Sequence, residues 1–210
     1  TSLEIMKEMD IDVKRVNIYI KYDDNFGVST TNKYIKGRIQ DNKLYIYEVD
    51  HSVIEKYEGD LYIFIPFGYI FDEVDIDNNA GRVEIDGLKT GELSLELGAG
   101  KVNMSNIEVY EKMDINGGAG SIKIDNASIN NLDMDMGAGK TQISGYLKGN
   151  NKIDAGVGAL ILELFDDDYR ISVDKGIGKA TYNGQDINSN EVYGNGYNNV
   201  IIDGGIGSIK

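Results

Sequence analysis

Apolar and polar residues alternate with a period of two over most of this chain, and a glycine triplet interrupts the alternation at near-constant intervals. The triplet reads Asn79-Ala80-Gly81 in its first copy. It continues as Gly98-Ala99-Gly100, Gly118-Ala119-Gly120, Gly137-Ala138-Gly139, Gly156-Val157-Gly158, Gly176-Ile177-Gly178 and Gly205-Ile206-Gly207. The final glycines stand 19, 20, 19, 19, 20 and 29 residues apart. Apolar residues recur two and four positions after that glycine, as in Val83/Ile85, Val102/Met104 and Ile122/Ile124. They also recur seven and five positions before it, as in Leu93/Leu95, Met113/Ile115 and Leu132/Met134, although the fifth copy departs with Asn151/Ile153. Such alternation marks strands with one buried face, so each copy predicts two strands joined at the triplet. Leu88, Ile107, Ala127 and Phe165, seven positions after the glycine, point to a third short face. No window holds helical spacing over three turns.

The inward phase slips by one at the final glycine, which predicts a bend there. Glycine suits a bend because it takes positive φ without a Cβ penalty, and because stacked strands about 4.8 Å apart bring neighbouring corners close. The middle residue of each triplet reads as a continuation of the inward set. On that reading Gly139→Val forces a Cβ into the corner, and Val157→Asp buries an unpaired charge.

The predicted architecture is all-β: a single-stranded parallel β-solenoid, or β-helix, with 19–20 residues per coil over residues 71–210. Asn183 to Asn199 reads as a loop or hairpin projecting from the last coil. Residues 1–70 lack the triplet but alternate over Ile11 to Tyr22, Leu44 to Val49 and Leu61 to Ile65. They read as a β-rich cap, continuous with the solenoid, that covers an otherwise exposed sheet edge. Eight of the 14 tyrosines fall there, among them Tyr45, Tyr47, Tyr57, Tyr62 and Tyr69. Cross-strand packing is the first explanation for them, and a glycan platform the second.

Composition narrows the classes of function. With 26 glycines in 210 residues and one proline, glycine exceeds the average of about 7%, yet its placement is too regular for a linker. The net charge of −14 repels nucleic-acid phosphates and anionic lipid surfaces. The absence of cysteine removes disulfides, thiolate metal sites and a Cys nucleophile. No apolar run reaches the length of a membrane helix. The chain begins at Thr1 rather than Met, so an export signal or membrane anchor upstream of Thr1 is the natural candidate for what was removed.

No constellation of residues forms a catalytic, cofactor or metal site. His51, the only histidine, lies in the polar stretch Asp50-His51-Ser52 and reads as a surface residue. Asp166-Asp167-Asp168 and the set Asp72, Asp75 and Asp77 could hold Ca²⁺, but they match no calcium-loop pattern and read as solvated turn acids. Gly137-Ala138-Gly139-Lys140-Thr141 lacks phosphate-loop spacing and recurs elsewhere as ordinary repeat. Polysaccharide-cleaving solenoids stack Asp, Lys and Arg on one face. Here the only arginines are Arg15, Arg38, Arg82 and Arg170, and the acids are read as not recurring at one coil position.

The strand Leu61-Tyr62-Ile63-Phe64-Ile65-Pro66-Phe67-Gly68, followed by coils of the type Leu-x-Leu-Gly-Ala-Gly-x-Val-x-Met, resembles the bacterial putative adhesin family of β-strand-repeat domains over residues 10–210. That resemblance implies an extracytoplasmic β-solenoid tethered to the envelope, and it carries no catalytic motif. The leading expectation is a non-catalytic cell-surface scaffold whose faces contact a macromolecule or glycan, with no nucleic acid and no cofactor. The alternatives are end-to-end self-association, since the sequence stops three residues past a triplet, and a solenoid glycosidase or lyase.

Overall fold

The alternating segments fold as strands. The computed structural model describes residues 6–49 and 58–210, which contain no helix. His51 and Tyr57 lie outside this set. The strands are β1 (Glu8–Asp23), β2 (Gly27–Thr30), β3 (Ile35–Gln40), β4 (Lys43–Glu48), β5 (Gly59–Pro66) and the long bent β6 (Phe71–Asn130). They continue with β7 (Leu132–Lys148), β8 (Asn150–Asp154), β9 (Val157–Leu164), β10 (Tyr169–Asp174) and β11 (Ile177–Tyr182). The last are β12 (Gln185–Asp186), β13 (Glu191–Tyr193), β14 (Asn198–Asp203) and β15 (Ile206–Ile209).

Pairing is parallel along the repeat, and the register follows the glycines. Met113 lies opposite Leu132, Gly120 opposite Gly139, and Gly139 opposite Gly158. The result is an open, all-β, solenoid-like sheet whose single core holds the residues two and four after the glycine and seven and five before it. Leu97, Met136 and Ala155, three before the glycine, are buried as well.

The triplet marks a bend, as its phase slip predicts, but its middle residue points outward. Val157 is 52% exposed, Ile206 55% and Ile177 73%, and Ala99, Ala119 and Ala138 are exposed too. The inward reading of this position is therefore wrong. A side chain between two closely stacked backbones has room only on the outer side of the corner. Val157→Asp is now expected to shift stability by no more than about 0.5 kcal/mol, and a thermal melt of that variant checks this.

The other two bends are built from asparagine. Asn106 and Asn126 take left-handed backbone at φ of 57° and 52°, and their side chains form a ladder. Asn126 Nδ2 donates to Asn106 Oδ1 at 2.7 Å, and Asn106 Nδ2 to Asp86 Oδ1 at 2.8 Å. At the third bend Asn131 Nδ2 donates to the Glu111 carbonyl at 2.8 Å, and Leu132 N to Asn151 Oδ1 at 3.0 Å. This explains the departure of the fifth copy: Asn151 is buried with its side chain bonded to backbone, the amide also reaching the Asn199 carbonyl at 3.0 Å.

The amino-terminal segment holds more of the repeat than its sequence shows. β1 runs parallel to β6 in full register, with Met9, Ile11, Ile18 and Ile20 opposite Val74, Ile76, Val83 and Ile85. Val16 occupies the place of the repeat glycine, and β4 and β5 lie parallel on the other side of β1, with Gly59 opposite Val16. β3 and β2 then pair antiparallel on β4 and β5. Tyr19 stacks on Tyr62 at 5.0 Å, and Tyr69 packs against Phe26 and Phe71, so cross-strand packing accounts for these rings.

At the carboxy-terminal end the strands do not stack in sequence order. β14 pairs with β8 on one side and β10 on the other, and β15 pairs with β9 and β11. The last segment of the chain is thus interposed between two earlier coils. The intervening residues run out past β10 and β11, where β13 and β12 pair antiparallel, and then return. Asp168 fastens the return, accepting from Tyr197 N at 2.9 Å. The edge invoked for end-to-end association at Ile209-Lys210 is accordingly a strand paired on both sides.

Candidate functional site

Three bends per repeat create three outward faces. The first, before the triplet, is acidic. Counting four positions back from each final glycine gives Asp77, Glu96, Asn116, Asp135, Asp154, Asp174 and Asp203, and β1 adds Asp12 opposite Asp77. Asp135 pairs with Asp154, Asp154 with Asp203, and Asp203 with Asp174, so the acids form one column along the sheet. The earlier reading that acids do not recur at one coil position is corrected. The column is spread one residue per coil, so it shows in no local run, unlike the clusters at 72–77 and 166–168.

The column is self-repelling. Partial burial and the carboxylates of Glu96 and Asp12 raise the Asp77 pKa above its ordinary value. A carboxyl with a raised folded-state pKa binds more protons folded than unfolded. Its stabilising contribution is present at acidic pH and is lost as pH rises through the folded pKa. Asp77→Asn should therefore raise stability at pH 7, by at most about 0.5 kcal/mol for so exposed a group, and added salt should act in the same direction. Melting curves at pH 5 and pH 7 check this, and a loss of stability in the variant at pH 7 would contradict it.

The other sequence candidates are structural. Asp166 accepts from the Asp168 N–H of its own turn at 3.3 Å, and Asp168 accepts from Tyr197 N of the returning segment at 2.9 Å. Among the described residues no three His, Asp or Glu side chains group as a metal-ligand set. Residues 137–141 lie in the bend of β7, with Thr141 buried.

The face after the second bend carries a feature that sequence reading missed. A groove of about 500 Å³ crosses the rungs, with Ile107 and Ala127 as floor and the aromatic rings Tyr22, Phe67 and Tyr146 on its walls. At one end Phe67, 85% exposed, sits 5.0 Å from Tyr22. At the other Tyr146 meets Phe165 edge-on at 5.4 Å. The register shift between Ile124 and Ala127 matters here, because it sets Tyr146 opposite Ser128 and turns its ring outward.

Between the rings lie polar groups held in place. Lys89 Nζ is 2.7 Å from Glu108 Oε1, and Tyr110 Oη donates to Glu108 Oε2 at 2.8 Å. These two bonds hold the Glu108 carboxyl below its ordinary pKa. Lys148 Nζ donates to Ser128 Oγ at 2.9 Å and lies 5.8 Å from the Tyr146 ring centre. Beneath Phe67 the Tyr22 hydroxyl is shielded without a hydrogen-bond partner, and burial raises its pKa. Further on, Tyr169 Oη accepts from Leu147 N at 3.1 Å, and burial pushes its pKa up to about 12. The aromatic signal in sequence was split over residues 22, 67, 110, 146 and 165, each in a different coil, and only Tyr146 and Phe165 share an offset, seven positions after the glycine.

A parallel stack in register, a like-charged face and an amphipathic groove define a β-strand repeat protein. Residues 6–181 match the Toastrack DUF4097 family, and the chain belongs to it. Two solved structures are similar to this chain. A putative cell adhesion protein from Clostridium sporogenes ATCC 15579 is 18% identical, with a TM-score of 0.42, covering 96% of this chain and 89% of that one. A putative adhesin from Bacteroides fragilis NCTC 9343 is 14% identical, with a TM-score of 0.41, covering 97% and 91%. No curated protein matches the chain.

Proposed function

We propose that this protein is a non-catalytic, extracytoplasmic binding scaffold of adhesin type. The observation that carries the reading is the aromatic groove, whose residues stand on consecutive rungs of a rigid sheet. In this reading the chain is one β-solenoid with 19–20-residue coils over residues 71–210, closed at its amino-terminal end by residues 1–70, with β1 serving as a rung. Residues 183–199 form the loop that lets the last segment return. The acidic column keeps the rod soluble and discourages side-by-side association of copies.

The acidic column does not favour an enzyme. Hydrolysis of a glycosidic bond needs two carboxyls whose surroundings set their pKa values apart, whereas these acids stand at one repeated position along the rod.

The test is binding of the fluorescently labelled chain to bacterial envelope fractions. Saturable binding that falls when Phe67 and Tyr146 are both changed to Ala is the expected result. Absence of saturable binding to any envelope fraction would overturn the scaffold reading, and turnover on a polysaccharide panel would overturn its non-catalytic part.

A further inference from the structure

We propose that the groove between the Tyr22–Phe67 and Tyr146–Phe165 ring pairs binds an uncharged polysaccharide chain lying across the rungs, an inference that rests on the scaffold reading above. Three rung spacings separate the two pairs, since Gly87, which packs against the Tyr22 ring, is followed at the same bend by Asn106, Asn126 and Gly145. At about 4.8 Å per spacing that is a span of about 14 Å, long enough for more than one sugar unit. Exposed rings at both ends offer flat apolar faces, which suit the C–H faces of hexopyranose rings.

The groove's charge selects against ionic ligands. Lys89 is neutralised by Glu108, Lys148 sits against Ser128 and Tyr146, and the chain as a whole carries −14. A polyanion meets there one ammonium without a carboxylate partner, Lys148, and is repelled by the net charge of the rest of the rod. The hydrogen-bonding groups that remain, Ser128 and the amides of Asn106 and Asn126, are neutral and prepositioned by the asparagine ladder. They match hydroxyl groups as partners.

The groove also disfavours a peptide. Its floor strands are paired on both sides in the parallel ladder, Ala127 with Gly145 and Ile129 with Leu147 among others, so no row of backbone groups is left for an added strand. An extended polymer of hydroxyl-bearing units is the better fit, because rings stand at both ends of the groove and the Asn106 and Asn126 amides lie on successive rungs between them.

The experiment is calorimetric titration of the whole chain with cellohexaose, chitohexaose and maltohexaose, with a heparin hexasaccharide as charged probe. The expected result is saturable binding of at least one uncharged hexasaccharide, stronger than that of its trimer, with no binding of the heparin fragment. Phe67→Ala and Tyr146→Ala should each weaken binding about tenfold, and both together should abolish it. Unchanged melting temperatures separate this loss from unfolding, as expected for exposed positions. Failure to bind any of the three, equal binding by the double variant, or preference for heparin overturns the inference. Envelope binding distinguishes this from failure of the scaffold reading. Retention that resists periodate oxidation of the envelope leaves the scaffold standing and removes the sugar, whereas absence of both activities removes both.

Discussion

Gly139→Val is expected to remove a large part of the protein's stability and, at the low end of domain stabilities, to leave it unfolded on expression. The backbone at Gly139 has φ of 145°, a region that side-chain-bearing residues rarely adopt, and a Cβ there would lie within the Gly120 carbonyl oxygen's radius. No flexible atom can give way, because Gly120 meets Gly100 in the same manner, and Gly158 meets Gly139. The substitution must separate two rungs of a continuous stack, at a cost of at least about 4 kcal/mol, against a total stability of about 5–15 kcal/mol for a domain. Loss of the β-sheet circular-dichroism melt, or inclusion-body expression, is the expected observation. Ala138→Val, one residue away, is the control. Its side chain is exposed, and Val157 and Ile206 occupy the same place in later coils, so it should melt like wild type. If the two variants behave alike, the corner packing is wrong.

Deleting residues 198–210 should do more damage than removal of a terminal strand. β14 and β15 separate the coil of β8 and β9 from that of β10 and β11, so the deletion strips both neighbours of their partners. Residues 165–197 then become sensitive to protease, while the coils before β8 stay protected. Sequential stacking predicts the opposite, with β10 and β11 still protected on their inner side. Val200→Asp makes the same point without truncation. Val200 is fully buried between Asn151 and Ile171, so a carboxylate there costs roughly 3 kcal/mol or more. Hydrogen exchange that leaves β10 protected in either variant would contradict the interposed order.

The glycine corner was legible because its cause is steric and recurs in every copy, so the same residue had to be kept each time. The direction of the middle residue was not. Alanine, valine and isoleucine look inward by chemistry, and only the closeness of the flanking backbones sends them out. The rung formed by β4 and β5 was hidden because Gly59 follows Tyr47 by twelve positions, where their partners Val16 and Asp12 on β1 are only four apart. β1 was hidden because Val16 stands where glycine was sought. The 29-residue interval did signal an anomaly, but spacing cannot tell an outward loop from a strand that returns to lie inside. The groove was the least visible, since it arises from rings in five coils brought together by the stacking itself.

The returning final segment also bears on how the protein is made. Most coils contact only neighbours about 20 residues away, so they can dock one after another as the chain emerges. The coil of β10 and β11 cannot, because the rung that must lie beneath it has yet to be synthesised. Until residues 198–210 have been made and released, the apolar underside of β8 and β9 stays open and the outer coil has nowhere to settle. Closure of this end of the sheet is thereby tied to synthesis of β14 and β15, and chains that stop short of them are left with an exposed edge prone to aggregation.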